Sequence, residues 1–226
     1  ADFKNASVID VGCGAGFPGV PLKLGEPSIR LTLLDSLAKR MNWLSGLLPE
    51  LGVEAEIVRV GHKDVRGCIA CGRCYELGKC VFDDVVNELA PKFEAADGLL
   101  IASPVYYASA NATLIAVLDR LFYSSHFDKT MKVGASVVCA RRGGCSATFD
   151  ELNKYFTISG MPVASSQYWN SIHGREQGEA EMDEEGKQTM RVLARNMVFL
   201  MKSIVLGKEK FGLPEKEERV ATHFIR

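Results

Sequence analysis

The sequence predicts an α/β protein: one doubly wound, mostly parallel sheet with helices on both faces, a three-layer sandwich. Two observations carry this. Short apolar runs rich in β-branched residues alternate with helical stretches along the chain, as in a parallel sheet covered on both faces. The first run leads into a glycine turn, Asp10-Val11-Gly12-Cys13-Gly14-Ala15-Gly16, where a strand passes into a helix without a Cβ in the way. A chain of 226 residues suits a single domain, 1–226, that buries roughly 70–75% of its unfolded surface.

The elements follow in order. A strand over 7–11 is followed by a helix near 18–24, where Pro18 suits a first turn because its missing N–H has no intrahelical partner there. A strand over 30–35 ends in Asp35 and precedes a helix near 37–51, and a third strand falls at 54–60. Asp83 and Asp84 read as the cap and first-turn acids of a helix near 82–96. Residues 98–118 form a long apolar run, but Pro104, Asn111 and two tyrosines divide it into a strand (98–103), a loop and a helix (110–124), so no membrane span is expected. Strands at 132–139 and 162–168 flank a helix near 147–158. The last helix, 182–206, carries Met190, Leu193, Met197, Leu200, Met201 and Ile204 on one stripe, a core face, with Asp183, Glu184 and Glu185 complementing the dipole at its start. The charged tail, 207–226, reads as a surface extension.

The formal net charge of −1 supplies no global field to hold nucleic acid or an anionic membrane, so neither is expected as a partner. No basic-then-apolar segment opens the chain, and the cytoplasm is the expected compartment. Of seven cysteines, Cys68, Cys71, Cys74 and Cys80 cluster, while Cys13, Cys139 and Cys145 stand apart. That clustering favours cofactor or redox chemistry over a disulfide framework.

The glycine turn, with a helix N-terminus behind it, suits a ligand loop, and a turn needed only for the helix to leave the strand tightly is the other reading. Asp35, at the end of the next strand, stands where a carboxylate accepts ribose hydroxyls. The stretches VIDVGCGAGFPGVPLKL and LTLLDSLAKRMNWL resemble the bacterial small-subunit rRNA guanine-N7 methyltransferase family. That resemblance covers about residues 1–52 and implies an S-adenosylmethionine site at Asp10, Gly12, Gly14, Gly16 and Asp35. The family's later motifs have no match, so methyl transfer is not expected.

A second loop, Ser103-Pro104-Val105-Tyr106-Tyr107, follows the fourth strand; Pro104 stiffens it and the two tyrosines offer flat faces to a ring. RGCIACGRC, GLLIASPVYYASANATLIAVLDRLFYS, ARRGG and TFDELNKYFTISGMPVASSQYWN resemble the flavodoxin-like NAD(P)H-dependent FMN reductases, including the iron–sulfur flavoproteins. The resemblance covers about 53–226. It implies an FMN isoalloxazine held between residues 103–107 and the loop Arg141-Arg142-Gly143-Gly144, with NAD(P)H as reductant and a homodimer to which residues 166–170 contribute. Arg141 or Arg142 would stabilise negative charge on reduced flavin.

The family's first strand and its Ser/Thr-rich phosphate loop are missing, and the methyltransferase-like residues stand in their place. Losing two or three charge-assisted hydrogen bonds costs about 3–9 kcal/mol of FMN affinity. N–H groups of residues 12–17 are the expected partial replacement, as a possible phosphate site.

Cys68-x2-Cys71-x2-Cys74-x5-Cys80 offers four thiols from one glycine-containing loop. A [4Fe–4S] cluster and a tetrahedral zinc both suit such a set, and a metal-free loop is the third reading. His62, His126, His173 and His223 lack partners at metal-ligand spacing and read as surface or hydrogen-bonding residues, and no Gly-x-Ser-x-Gly nucleophile setting is present.

Joining the two parts with right-handed crossovers gives the strand order 3-2-1-4-5-6. The third strand then lies at the edge, and the cysteine loop is expected to move outward with it. The chain reads as a recombined, engineered chimera with residual FMN binding. An S-adenosylmethionine-binding module without turnover, or a folded scaffold with no ligand function, are the alternatives.

Overall fold

The computed structural model describes residues 6–35, 37–59, 64–218, 220–222 and 224. In chain order the elements are β1 (Ser7–Val11), α1 (Gly19–Gly25), β2 (Arg30–Asp35), α2 (Ala38–Glu50), β3 (Ala55–Arg59), α3 (Cys74–Leu77), α4 (Val85–Ala95), β4 (Gly98–Pro104), α5 (Ala112–Ser124), β5 (Val133–Ala140), α6 (Cys145–Ile158), β6 (Ser171–His173), α7 (Glu179–Met182) and α8 (Glu184–Phe211). All six strands pair in parallel in the order β3-β2-β1-β4-β5-β6, as the sequence predicts. The order reverses between β1 and β4, and at such a switch point the loops leaving the strand carboxyl ends diverge to open a crevice.

Two apolar cores lie on the two faces of the sheet. On one, Val20 and Leu22 of α1, Met41, Leu44 and Leu48 of α2, and Met190, Leu193, Met197 and Met201 of α8 pack together. On the other, Val86, Leu89 and Phe93 of α4, Val117, Leu118 and Leu121 of α5, and Leu152 and Phe156 of α6 do the same. The methionine-rich stripe of the last helix is thus core, each buried side chain stabilising by about 1.5–3 kcal/mol. Asp84 caps α4 by accepting from Val86 N, and Asp183 caps α8 by accepting from Gly186 N.

Three expectations need correction. The sixth strand is Ser171–His173 rather than 162–168. Residues 162–164 do run beside β5, with Gly134 N donating to Pro162 O and Ala164 N to Gly134 O, but the chain then leaves the ladder. Ser166 Oγ instead binds Tyr168 O and Asn170 Oδ1, a local polar closure that competes with strand pairing. The last helix continues to Phe211, so the start of the expected tail is helical. The third correction concerns the cysteine loop. Its cysteines line one pocket with Arg120, Tyr123 and Ser124 of α5, a helix packed on the core over β1 and β4, rather than standing out beyond edge strand β3.

Among the described residues no helix is long and apolar enough to cross a membrane. His62 and His223 lie outside the described residues.

Candidate functional site

The glycine loop stands at the carboxyl end of β1, beside the ends of β2 and β4. Gly12 adopts φ +82°, and a Cβ there would lie 2.0 Å from Ala102 O of β4, so only glycine allows the two strand ends to approach. The loop is closed on itself. Gly12 N and Cys13 N donate to Leu34 O, Gly14 N to Asp35 Oδ2, Gly16 N and Phe17 N to Cys13 O, and Gly19 N to Asp10 Oδ2. Asp35 also accepts from Leu37 N through Oδ1 and is 5% exposed.

Residues 12–14, 16 and 17 therefore already have acceptors for their N–H groups within the chain. Asp10 lies fully buried beneath, with Oδ1 unpartnered among the described residues. Desolvation, reinforced by the nearby Asp35 charge, holds its carboxyl well above the usual range despite the Gly19 hydrogen bond. Burial likewise pushes the Cys13 thiol up and keeps it neutral.

Across the crevice, Ser103 Oγ accepts from Asn111 N and donates to Pro104 O, fixing the loop after β4. Tyr106 and Ser109 then exchange both backbone hydrogen bonds, closing a hairpin whose two tip residues, Tyr107 (φ 52°) and Ala108 (φ 59°), are left-handed. Tyr107 is fully exposed. A left-handed non-glycine pair costs about 1–2 kcal/mol per residue, so the surroundings must hold it. Glu151 of α6 does so, accepting from Ser109 Oγ and Ala110 N at 2.9 Å. Val105 N donates to Cys139 O of β5, and Gly144 (φ +94°) brings the next loop against Val105 and Ala108. Arg141, Arg142 and Gly143 are exposed beside this hairpin. The structure thus brings the two loops read as a flavin wall into one assembly. Sequence reasoning missed Glu151, which stands more than forty residues from the backbone it anchors.

The four clustered cysteines line one pocket, together with Phe82, Arg120 and Tyr123. Cys68 and Cys71 are exposed at its mouth, Cys74 is buried and Cys80 half-buried. Arg120 is buried to 1% exposure, donating to both Asp84 oxygens at 2.7 and 2.8 Å, to Arg66 O, and through Nε to Cys80 Sγ at 3.2 Å. Asn87 holds Cys80 N and Cys80 O, and His126 Nε2 meets Cys74 O at 3.1 Å. Among the described residues no three His, Cys, Asp or Glu side chains converge as they would on one metal ion. Four thiols from one compact loop are a donor set that both a [4Fe–4S] cluster and a tetrahedral zinc use. The pocket meets the second half of α5, and at 1.5 Å per residue Arg120–Ser124 lie ~12–18 Å along the helix from its crevice end.

The crevice gathers a further set that sequence spacing did not reveal. Cys145 opens α6, His173 ends β6, and Cys145 Sγ and His173 Nε2 are 3.8 Å apart. Asp183 Oδ2 accepts from His173 N at 2.8 Å and lies 3.6 Å from His173 Nδ1. His173 is thus an exposed residue held by hydrogen bonds.

A model described as NADPH-dependent FMN reductase matches residues 35–176, well over half of the chain, which belongs to that family. Within it, the chain is similar to an iron–sulfur flavoprotein of Methanocaldococcus jannaschii, 31% identical over 70% of this chain and 86% of that one. The iron–sulfur flavoprotein of Methanosarcina thermophila is 33% identical over 71% and 85%. A model described as rRNA small subunit methyltransferase G matches residues 1–66, so the two matches overlap over 35–66. The Lactobacillus helveticus methyltransferase of that name is 48% identical over 28% of this chain and 27% of its own, so this chain spans about a quarter of it. Among solved structures, RosB with a bound 8-demethyl-8-formylriboflavin-5'-phosphate intermediate superposes with TM-score 0.52 at 15% identity, covering 99% of this chain and 94% of that one. A WrbA-like flavodoxin of Agrobacterium tumefaciens gives 0.50 at 13%, covering 88% and 98%. At these identities the likeness shows the fold.

Proposed function

We propose that the chain is a recombined, engineered flavoprotein: an FMN reductase-type body, about 53–226, whose first strands and ligand loop come from a methyltransferase-like segment, about 1–52. It binds flavin weakly and exchangeably, turns it over with NAD(P)H, and holds a [4Fe–4S] cluster on Cys68, Cys71, Cys74 and Cys80. The observation that carries this reading is that all four cysteines line one pocket, where Arg120 donates to Cys80 Sγ, in a chain of the FMN reductase family.

The flavin site fits at one end only. The hairpin at Tyr106–Ser109 and the 140–144 loop form a wall for the ring, whereas the glycine loop keeps its N–H groups for itself. Flavin supplies hydride and single-electron chemistry when bound; this chain's residues orient the ring and shield one face. The nicotinamide would stack on that ring, since no separate nicotinamide motif is present. An S-adenosylmethionine-binding reading draws less support, because Asp35, its ribose acceptor, is buried and tied to Gly14 and Leu37. Exposed Tyr168 and Trp169, side by side at 4.9 Å, support a homodimer on this face. The near-zero net charge supports small cofactors rather than nucleic acid or membranes as partners, in a cytoplasmic setting.

The test is an anaerobic absorption spectrum of fresh protein, before and after adding FMN and then dithionite. A broad iron–sulfur shoulder that Cys74→Ser abolishes, and an FMN band that shifts on binding and bleaches on reduction, are expected. A colourless protein that leaves FMN unshifted would overturn the reading.

A further inference from the structure

We propose that Cys145, His173 and Asp183 form a thiol-exchange site at which small disulfides, of the oxidised glutathione class, modify Cys145. The three residues come from α6, β6 and the start of α8, and the fold alone brings them together. Nothing in the proposed flavin or cluster chemistry uses them.

Each part has a distinct task. Cys145 is the first residue of a 14-residue helix whose cap, Gly144, has no side chain to satisfy the first-turn N–H groups. The positive end of that helix stabilises a thiolate as it forms. His173 Nε2, 3.8 Å from the sulfur, is placed to take its proton. Asp183 lies behind the imidazole: its Oδ2 accepts the His173 backbone N–H and stands 3.6 Å from Nδ1, where its charge favours a proton on Nδ1 and leaves Nε2 to accept one from Cys145. The carboxylate is itself rigid, since Oδ1 accepts from Gly186 N. Burial, with Cys139 adding to it, holds the resting thiol protonated. The proton must therefore leave as the sulfur attacks, which gives the imidazole its role.

The step balances without any further reagent. The Cys145 proton passes to His173 Nε2 and the sulfur attacks one sulfur of the disulfide. The old S–S bond breaks as the Cys145 S–S bond forms, and the departing thiolate takes the proton from the imidazolium. Cys145 sulfur is oxidised and the released thiol is the reduced product; a small thiol reverses the step.

The test is incubation of the purified full chain with oxidised glutathione, with adducts followed by peptide mass spectrometry. A glutathione adduct on Cys145, removed by dithiothreitol, is expected. His173→Ala should slow its formation by at least about tenfold, and added imidazole should restore much of the lost rate. Asp183→Asn, which keeps an acceptor for Gly186 N, should give an intermediate loss. Thermal unfolding of each variant separates these effects from loss of the fold. An unmodified Cys145 in the wild type, or a His173→Ala variant that reacts at the wild-type rate, would overturn the assignment.

Discussion

Arg120 donates its Nε–H to the sulfur of Cys80 while both of its terminal nitrogens grip Asp84. One buried guanidinium thus couples the cap of α4, the wall of the cysteine pocket and the middle of α5. Breaking a buried pair from one side leaves an uncompensated charge, at about 3–5 kcal/mol. Asp84 retains 21% exposure, so Arg120→Met is expected to cost about 3 kcal/mol, the lower end of that range, read as a lower urea midpoint. Arg120→Lys should recover less than half, because an ammonium cannot make the two-pronged contact.

Gly12 and Gly46 make a contrasting pair. Gly12→Ala places a methyl on Ala102 O at a positive φ, and strain plus overpacking should cost at least about 3 kcal/mol. Gly46 is exposed within α2 with open space around its missing Cβ, so Gly46→Ala should stabilise by about 0.5–1 kcal/mol. Denaturant titrations of both variants check the opposite signs.

Asp10 makes a pH-dependent contribution of unusual sign for a carboxyl. Its folded value is raised, so the folded chain holds a proton that the unfolded chain releases above about pH 4. This contribution is fully present below about pH 4 and falls as pH rises from there toward the folded value. Asp10→Asn should remove that part of the decline. Urea midpoints from pH 4 to 8 should therefore show the variant gaining on the wild type as pH rises; parallel profiles would refute the assignment.

Tyr107 sits at φ 52° with its ring in solvent. Tyr107→Gly should relieve backbone strain and stabilise by about 1 kcal/mol, while weakening FMN binding if the ring covers the flavin. Thermal unfolding and FMN titration on the same sample check for these opposite changes. A variant that loses stability would show the turn is held by the tyrosine side chain instead.

The sheet was legible because it rests on local signals. Alternating apolar runs place β1 to β5, and the two family likenesses order them. The sixth strand was not, because Ser166 and Asn170 close on each other and delay pairing until Ser171. The cysteine set could be read from its spacing, but not its position: contacts with Arg120 and Tyr123 of α5, tens of residues downstream, decide where the loop rests. Asp10 and Asp35 were read as ligand contacts; in the folded chain both accept loop N–H groups, a use that a glycine motif does not distinguish from ligand binding. The Cys145–His173–Asp183 set was invisible for a similar reason, since the intervals between its members reflect strand order and not local spacing.

The clasps around the glycine loop bear on how folds exchange parts. Every polar closure named there, from Leu34 O to Asp10 and Asp35, begins and ends within residues 10–37. What the segment asks of its host is chiefly a smooth, glycine-sized approach to Ala102 and an apolar floor. A piece that carries its own fastenings keeps its shape with little help from its surroundings, and here it shows the outline of a nucleotide loop with most of its N–H donors already engaged.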